Sequence, residues 1–260
     1  MEKVTILSPH RDDAAFSLGL TLGLWGAASL PLRVLNFFTE SAYAPHSPAK
    51  TVEEISAVRR AEDERALAFI HDRIEVVSLG LLDAPLRLHL PFSQITQLQS
   101  AQRISREELN QLSRYIQQHC RDSLAVAPLG LGNHVDHMAV QKAAIACLPL
   151  QKLAFYEDLP YITWTSAADV QARIQSVENA TGIGLSPFIQ RTQNAVMQKR
   201  RIASFYQSQI TTEEADVIAG YAESYRSGER LWLPVDSERW NAIRSLATEP
   251  PQTAIPHPPR

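Results

Sequence analysis

Short apolar, β-branched runs alternate along the chain with longer stretches of helical periodicity. Residues 4–7 (Val-Thr-Ile-Leu) make the first such run, and 14–25, rich in Ala, Leu and Gly, the first helix. Residues 32–38 repeat the strand signal, Val52–Ile70 reads as a charged amphipathic helix, and 74–79 form a third strand. Arg106–Cys120 has the helical period, with Ser105 as N-cap and Glu108 three residues on in the capping-box pattern. Residues 124–128 give strand four, 136–147 the next helix and Leu153–Tyr156 strand five. This rhythm predicts an α/β fold, a Rossmann-like three-layer α/β/α sandwich around a mostly parallel sheet. In a late helix, Lys199-Arg200-Arg201 read as the solvated side, with Phe205 and Tyr206 turned inward. One domain is expected over 1–248, followed by a Pro-rich, irregular tail over 249–260.

The polar residues that interrupt this pattern are concentrated after two strands. Strand one ends in Ser8-Pro9-His10-Arg11-Asp12-Asp13, and strand four leads into Asn133-His134-Val135-Asp136-His137. Ligands of open α/β sheets collect at the carboxyl ends of strands, so adjacent placement of strands one and four would bring the two loops together. His10, Asp13 and His137 then offer two imidazoles and a carboxylate, a set suited to zinc with an open fourth position. Asp12, His134 and Asp136 remain beside the metal for proton transfer. Either cluster alone reads as a turn with its hydrogen bonds; the pairing makes the metal site. Gly130-Leu131-Gly132 lets the second loop bend sharply. No GxGxxG follows strand one, which favours a metal over a dinucleotide.

Composition narrows the partner. The 25 basic and 28 acidic residues give a net charge of −3 without a basic run, which argues against nucleic acid and anionic membranes and for a small molecule. No apolar run approaches the roughly 20 residues of a membrane span, and no secretory signal pattern opens the chain, so a cytoplasmic location is expected. Cys120 and Cys147 lack ligand spacing and read as buried thiols.

With these motifs in view, the chain resembles the LmbE-like, or PIG-L, superfamily of zinc-dependent deacetylases, whose paired signature is HxDD plus HxDH. Here those are His10-Arg11-Asp12-Asp13 and His134-Val135-Asp136-His137. The resemblance extends over roughly residues 3–235 through Arg59 and Glu62, Asp83 after Leu79-Gly80, the Tyr156–Tyr161 stretch, and Lys199 followed by Tyr206-Gln207-Ser208-Gln209. Many members have Pro where Arg11 stands and Glu where Ala14 stands. Arg11 either pairs with a nearby carboxylate, meets an acidic substrate, or faces solvent.

The resemblance implies a zinc hydrolase that removes an N-acetyl group from an amino sugar or an N-acetylglucosamine-containing glycoconjugate. Iron(II) or another divalent metal suits the same ligands. Asp12 is the expected general base for a metal-activated water, His134 the donor to the acyl oxygen or leaving group, and Asp136 the residue that orients a catalytic partner. Arg59 and Glu62, three apart on a helix, are either a solvated ion pair or a structural and substrate-positioning one. Asp83 either caps a turn or binds sugar hydroxyls, and Tyr161 or Trp164 would stack on a sugar ring. Segments 41–50 and 84–102 are expected to line or cover the cleft. Two other readings stay open: another metallohydrolase such as a phosphoesterase, and a non-catalytic sugar- or metal-binding protein.

Overall fold

The computed structural model describes residues 2–246; the Pro-rich segment 249–260 lies outside the described residues. Among the described residues seven strands form one sheet: β1 (Lys3–Ser8), β2 (Leu32–Asn36), β3 (Glu75–Ser78), β4 (Ser123–Pro128), β5 (Leu153–Tyr156), β6 (Leu185–Arg191) and β7 (Gly228–Pro234). The helices are α1 (Asp13–Ala27), α2 (Val52–Ile70), α3 (Ala84–Leu88), α4 (Arg106–Cys120), α5 (Val135–Cys147), α6 (Ala167–Thr181), α7 (Ala195–Ala203), α8 (Thr212–Gly220) and α9 (Asn241–Arg244).

The strand order is β3-β2-β1-β4-β5-β7-β6, with β1 to β5 parallel and β7 and β6 antiparallel at one end. The chain runs outward from β1 to β3 and then returns to place β4 on the other side of β1. Right-handed crossovers therefore set α1 and α2 on one face and α4 and α5 on the other. The packing agrees: α1 touches α2 and α7, α7 touches α8, and α4 pairs with α5. β4, central and covered on both faces, is buried at every residue, as its unbroken apolar run requires.

Local sequence explains the elements. α1 is apolar on nearly every side because it lies between the sheet and two other helices, and Trp25 on it is wholly buried. α2 and α8 begin with reciprocal capping boxes, Thr51 with Glu54 and Thr211 with Glu214. Ser105 accepts from the Glu108 N–H as expected, but the Glu108 side chain does not complete the box; it pairs with Arg87 at 2.8 Å.

One sequence expectation is overturned here. Lys199 is 1% exposed, not solvated, and its Nζ donates to Glu229 Oε1 at 2.5 Å. Glu229 also accepts the N–H groups of Leu20 (3.2 Å) and Thr21 (2.9 Å) and the Thr21 hydroxyl (2.8 Å), so the pair joins α7, α1 and β7. The neighbouring Arg200 pairs with exposed Asp216, and Arg201 stacks on Phe69 and Phe205.

Candidate metal centre and cleft

β1 and β4 are neighbours in the sheet, so the loops that follow them meet at the point where strand order reverses. Two hydrogen bonds shape the first loop: the Ser8 hydroxyl donates to the His10 C=O at 2.6 Å and accepts from the Ala14 N–H at 3.1 Å. The second loop turns on Gly130 (φ 76°) and Gly132 (φ 72°). A Cβ at Gly132 would also stand 2.6 Å from the Tyr161 ring, so glycine is needed for space as well as for conformation.

These loops bring His10, Asp13 and His137 together, all three buried. His10 Nδ1 and His137 Nε2 each lie 3.3 Å from Asp13 Oδ2. His137 Nε2 is buried and has no hydrogen-bond partner, although its ring is wholly inaccessible. An imidazole nitrogen left so, beside a carboxylate and a second imidazole, fits a cation that accepts its lone pair.

Each histidine is held from behind. His137 Nδ1 meets Asp158 Oδ1 at 2.6 Å, while Asp158 Oδ2 accepts the Leu131 N–H at 3.0 Å. His10 Nε2 meets Asp136 Oδ2 at 3.0 Å. Asp136 is wholly buried and also accepts the Ala84 N–H (2.9 Å) and Arg87 NH2 (2.7 Å). His10, His134 and Asp136 form a second group of close ligand atoms. The Asp136 oxygens are already taken by three donors, so this group is a hydrogen-bonded support.

Charge follows the same arrangement. Burial would lower the His10 pKa, but Asp13 and Asp136 together hold it up at about 10. Burial likewise opposes ionisation of Asp13, yet His137 and His10 bring it down to about 2. Asp136 is held below the usual carboxylate range against its burial by His10 and Arg87. The centre therefore favours positive charge. Burial, and then the His10 charge, push His134 well below the ordinary imidazole value. Its Nδ1 accepts the Asp136 N–H at 3.2 Å, so the neutral ring carries its proton on Nε2. Burial and the adjacent Asp13 push Asp12 up, against Arg59 and His10.

A cleft of about 310 Å³ opens over the centre, lined among others by His10, Asp12, Arg59, Asp83, His134 and Tyr161. Segments 41–50 and 84–102 contribute Tyr43, Pro85, Phe92, Ile95 and Thr96, and Trp164 stands with Tyr161. Arg59 is buried; it lies 3.5 Å from Asp12 Oδ1 and donates to Ser41 Oγ (3.0 Å) and the Tyr43 C=O (3.3 Å). Glu62 is buried too and accepts the Ser208 N–H and hydroxyl and the Gln209 amide, docking the segment after α7 against α2. Neither residue is the solvated half of a helical ion pair. Asp83 is 3% exposed and caps α3 through the Leu86 N–H at 3.2 Å.

Arg11 is inward-facing and 1% exposed, and it does not line the cleft. Its NH1 donates to Ser78 Oγ at 3.1 Å, and the carboxylate charges that act on it are those of Asp63 and Glu40. Asp136 also lies outside the cleft lining, behind His10. In the sequence Asp158 stood out only as part of the Tyr156–Tyr161 stretch, although its place just past β5, next to β4, was a usable signal. Arg87, which holds Asp136, carried no sequence signal. Glu157, one residue before Asp158, faces away and anchors the segment to β7 through Arg230 Nε (2.6 Å) and Trp232 Nε1 (3.0 Å), with Tyr221 and Tyr225 also donating.

Residues 5–148 match the PIG-L family, described as GlcNAc-PI de-N-acetylase. The chain is 28% identical over 237 residues to 2'-N-acetylparomamine deacetylase of Streptomyces fradiae, covering 88% of this chain and 81% of that protein. Among solved structures it resembles the zinc-inhibited form of teicoplanin deacetylase Orf2, with a TM-score of 0.64 at 22% identity over 90% of this chain and 99% of the other. It also resembles N,N'-diacetylchitobiose deacetylase from Pyrococcus horikoshii, with a TM-score of 0.57 at 17% identity over 90% and 84%. At these identities the solved structures establish the fold.

Proposed function

The chain belongs to the PIG-L family, and from that premise we propose that it is a zinc-dependent hydrolase removing an N-acetyl group from an amino sugar or an N-acetylglucosamine-containing glycoconjugate. The observation that carries this reading is the buried, unbonded His137 Nε2 converging with His10 on one Asp13 oxygen. His10, Asp13 and His137 would hold the metal. When bound, zinc supplies Lewis acidity toward a carbonyl and lowers the pKa of water to about 7.

The chain's own residues account for the remaining steps. Asp12 lines the cleft with its side chain 19% exposed, and Arg59 holds it from Oδ1 at 3.5 Å, so the carboxylate is placed to take the proton of the attacking water. Its raised pKa suits it to hold that proton and pass it to the departing amine. The His134 Nε2–H provides a donor for the acyl oxygen as negative charge develops there. Asp136 and Asp158 fix the two imidazoles, so their part is positioning. Arg59 sets the orientation of Asp12, and Asp83, Tyr161 and Trp164 form the sugar-binding surface.

A phosphoesterase would need cationic clamps, but Arg59 is the only Lys or Arg among the cleft-lining residues and it is committed to Asp12. The reading places the activity in one domain over 1–248, acting in the cytoplasm. The two free thiols, Cys120 and Cys147, are in keeping with a reducing compartment. No helix among the described residues is long and apolar enough to cross a membrane. The test is metal content together with amine release from N-acetylglucosamine and N-acetylated glycoconjugates, for wild type and His137→Ala. About one zinc per chain, lost in the variant together with amine release, is the expected result. Wild-type zinc without turnover on any of these substrates would overturn the reading.

A further inference from the structure

The cleft carries more negative charge than amide hydrolysis uses. Its lining includes the carboxylates Asp12, Asp83 and Glu214 against one guanidinium, Arg59; His10, also in the lining, is matched by Asp13 and Asp136 behind it. Arg59 offsets Asp12 and is otherwise occupied by Ser41 and the Tyr43 carbonyl. Asp83 and Glu214 are left over. Among the described residues neither takes part in an ion pair; their hydrogen-bond donors include the N–H groups of Leu86, to Asp83 at 3.2 Å, and of Thr211, to Glu214 at 2.8 Å.

The two stand at different depths. Asp83 is 3% exposed, whereas Glu214 is exposed on the first turn of α8. The Glu214 charge is felt within the lining: burial and then the charges of Glu214 and Asp12 push the Tyr43 phenol above its ordinary value. Two aromatic pairs complete the lining: Tyr43 with Phe92, ring centroids 5.0 Å apart, and Tyr161 with Trp164, 5.7 Å apart.

We propose that the substrate is a cationic amino sugar, an N-acetylated oligosaccharide whose other amines are free and protonated. This rests on the deacetylase reading and narrows it. Sugar rings lie on the aromatic pairs, one ammonium group meets Glu214 at the mouth, and another meets Asp83 deeper in the cleft. A neutral sugar leaves both carboxylates without a counter-charge. A phosphorylated or carboxylated glycoconjugate meets like charge in a partly desolvated cleft, where repulsion is poorly screened.

The test compares kcat/KM for a mono-N-acetylated aminoglycoside with at least two free amines against N-acetylglucosamine and N,N'-diacetylchitobiose, at low and high salt, in wild type and Glu214→Gln. Gln keeps the capping geometry at the third position of α8. The expected result is a cationic-to-neutral ratio well above one that falls about tenfold in the variant and shrinks as salt rises. Equal or better turnover of the neutral sugars by wild type, or a variant that lowers both classes equally, would overturn the cationic assignment while leaving the deacetylase reading intact. Absence of turnover on all three would instead overturn the deacetylase reading. Asp83→Asn, which retains the α3 cap, provides a second charge-removing variant if Glu214→Gln alters folding.

Discussion

Asp158 Oδ1 lies 2.6 Å from His137 Nδ1, and its other oxygen accepts the Leu131 N–H from the loop that carries the histidine. The carboxylate thus fixes the His137 tautomer that leaves the Nε2 lone pair facing Asp13. In Asp158→Asn, the amide oxygen can keep the Leu131 bond only by turning its NH2 toward Nδ1. That donor moves the imidazole proton to Nε2 and blocks ligation. Zinc affinity is expected to fall about 10- to 100-fold, measured by competition with a chromophoric chelator. Unchanged affinity would remove Asp158 from the metal site.

Asp12 differs in kind, because it lines the cleft and the proposed metal triad does not include it. Asp12→Ala is expected to retain zinc and lose about 10²- to 10⁴-fold in kcat. Zinc content and single-turnover rate, measured on the same preparation, separate the two effects. A variant with wild-type kcat would exclude Asp12 as the base.

The two ion pairs of α7 should behave in opposite ways. Lys199→Met strands the Glu229 carboxylate in the interior, 1% exposed, at an expected cost of about 3–5 kcal/mol in urea unfolding. Adding Glu229→Gln should recover part of that loss, since the Leu20 and Thr21 donors keep an acceptor. Arg200→Ala, whose pair with Asp216 is about half exposed on both sides, should cost no more than about 1 kcal/mol. A Lys199→Met variant as stable as Arg200→Ala would contradict the buried-pair account.

These pairs also show where the sequence was legible. The convergence of His10, Asp13 and His137 was readable because each motif is local, sits at a strand end, and joins its counterpart once β1 and β4 are neighbours. The parallel β-α-β core was readable from its periodicity, down to the limits of α2, α4 and β5. Lys199 was misread because a Lys-Arg-Arg run gives no sign that one member faces inward; its partner lies 30 residues away on β7. β6 was not anticipated, since an edge strand with Pro187 in it and mostly half-buried residues lacks a clean alternation. Arg87 and Asp158 act through contacts that only the assembled sheet creates.

Asp63 carries the pH prediction. It is wholly buried on α2, and burial raises its pKa to about 7 against the Tyr206 hydroxyl (3.0 Å), the Arg11 charge and the Asn36 amide (2.8 Å), with the Asp12 charge adding to the rise. Between the ordinary 3.8 and about 7, the folded protein holds a proton here that the unfolded chain has released. The folded state binds more protons, so this group makes stability fall as pH rises through that window, by at most about 1.4 kcal/mol per pH unit. Asp63→Asn stays neutral at every pH and keeps partners for Asn36 and Tyr206. Its stability should therefore decline less than that of wild type between pH 4 and 7, with the gap widening as pH rises. Parallel Tm profiles across that range would show that Asp63 does not release a proton there.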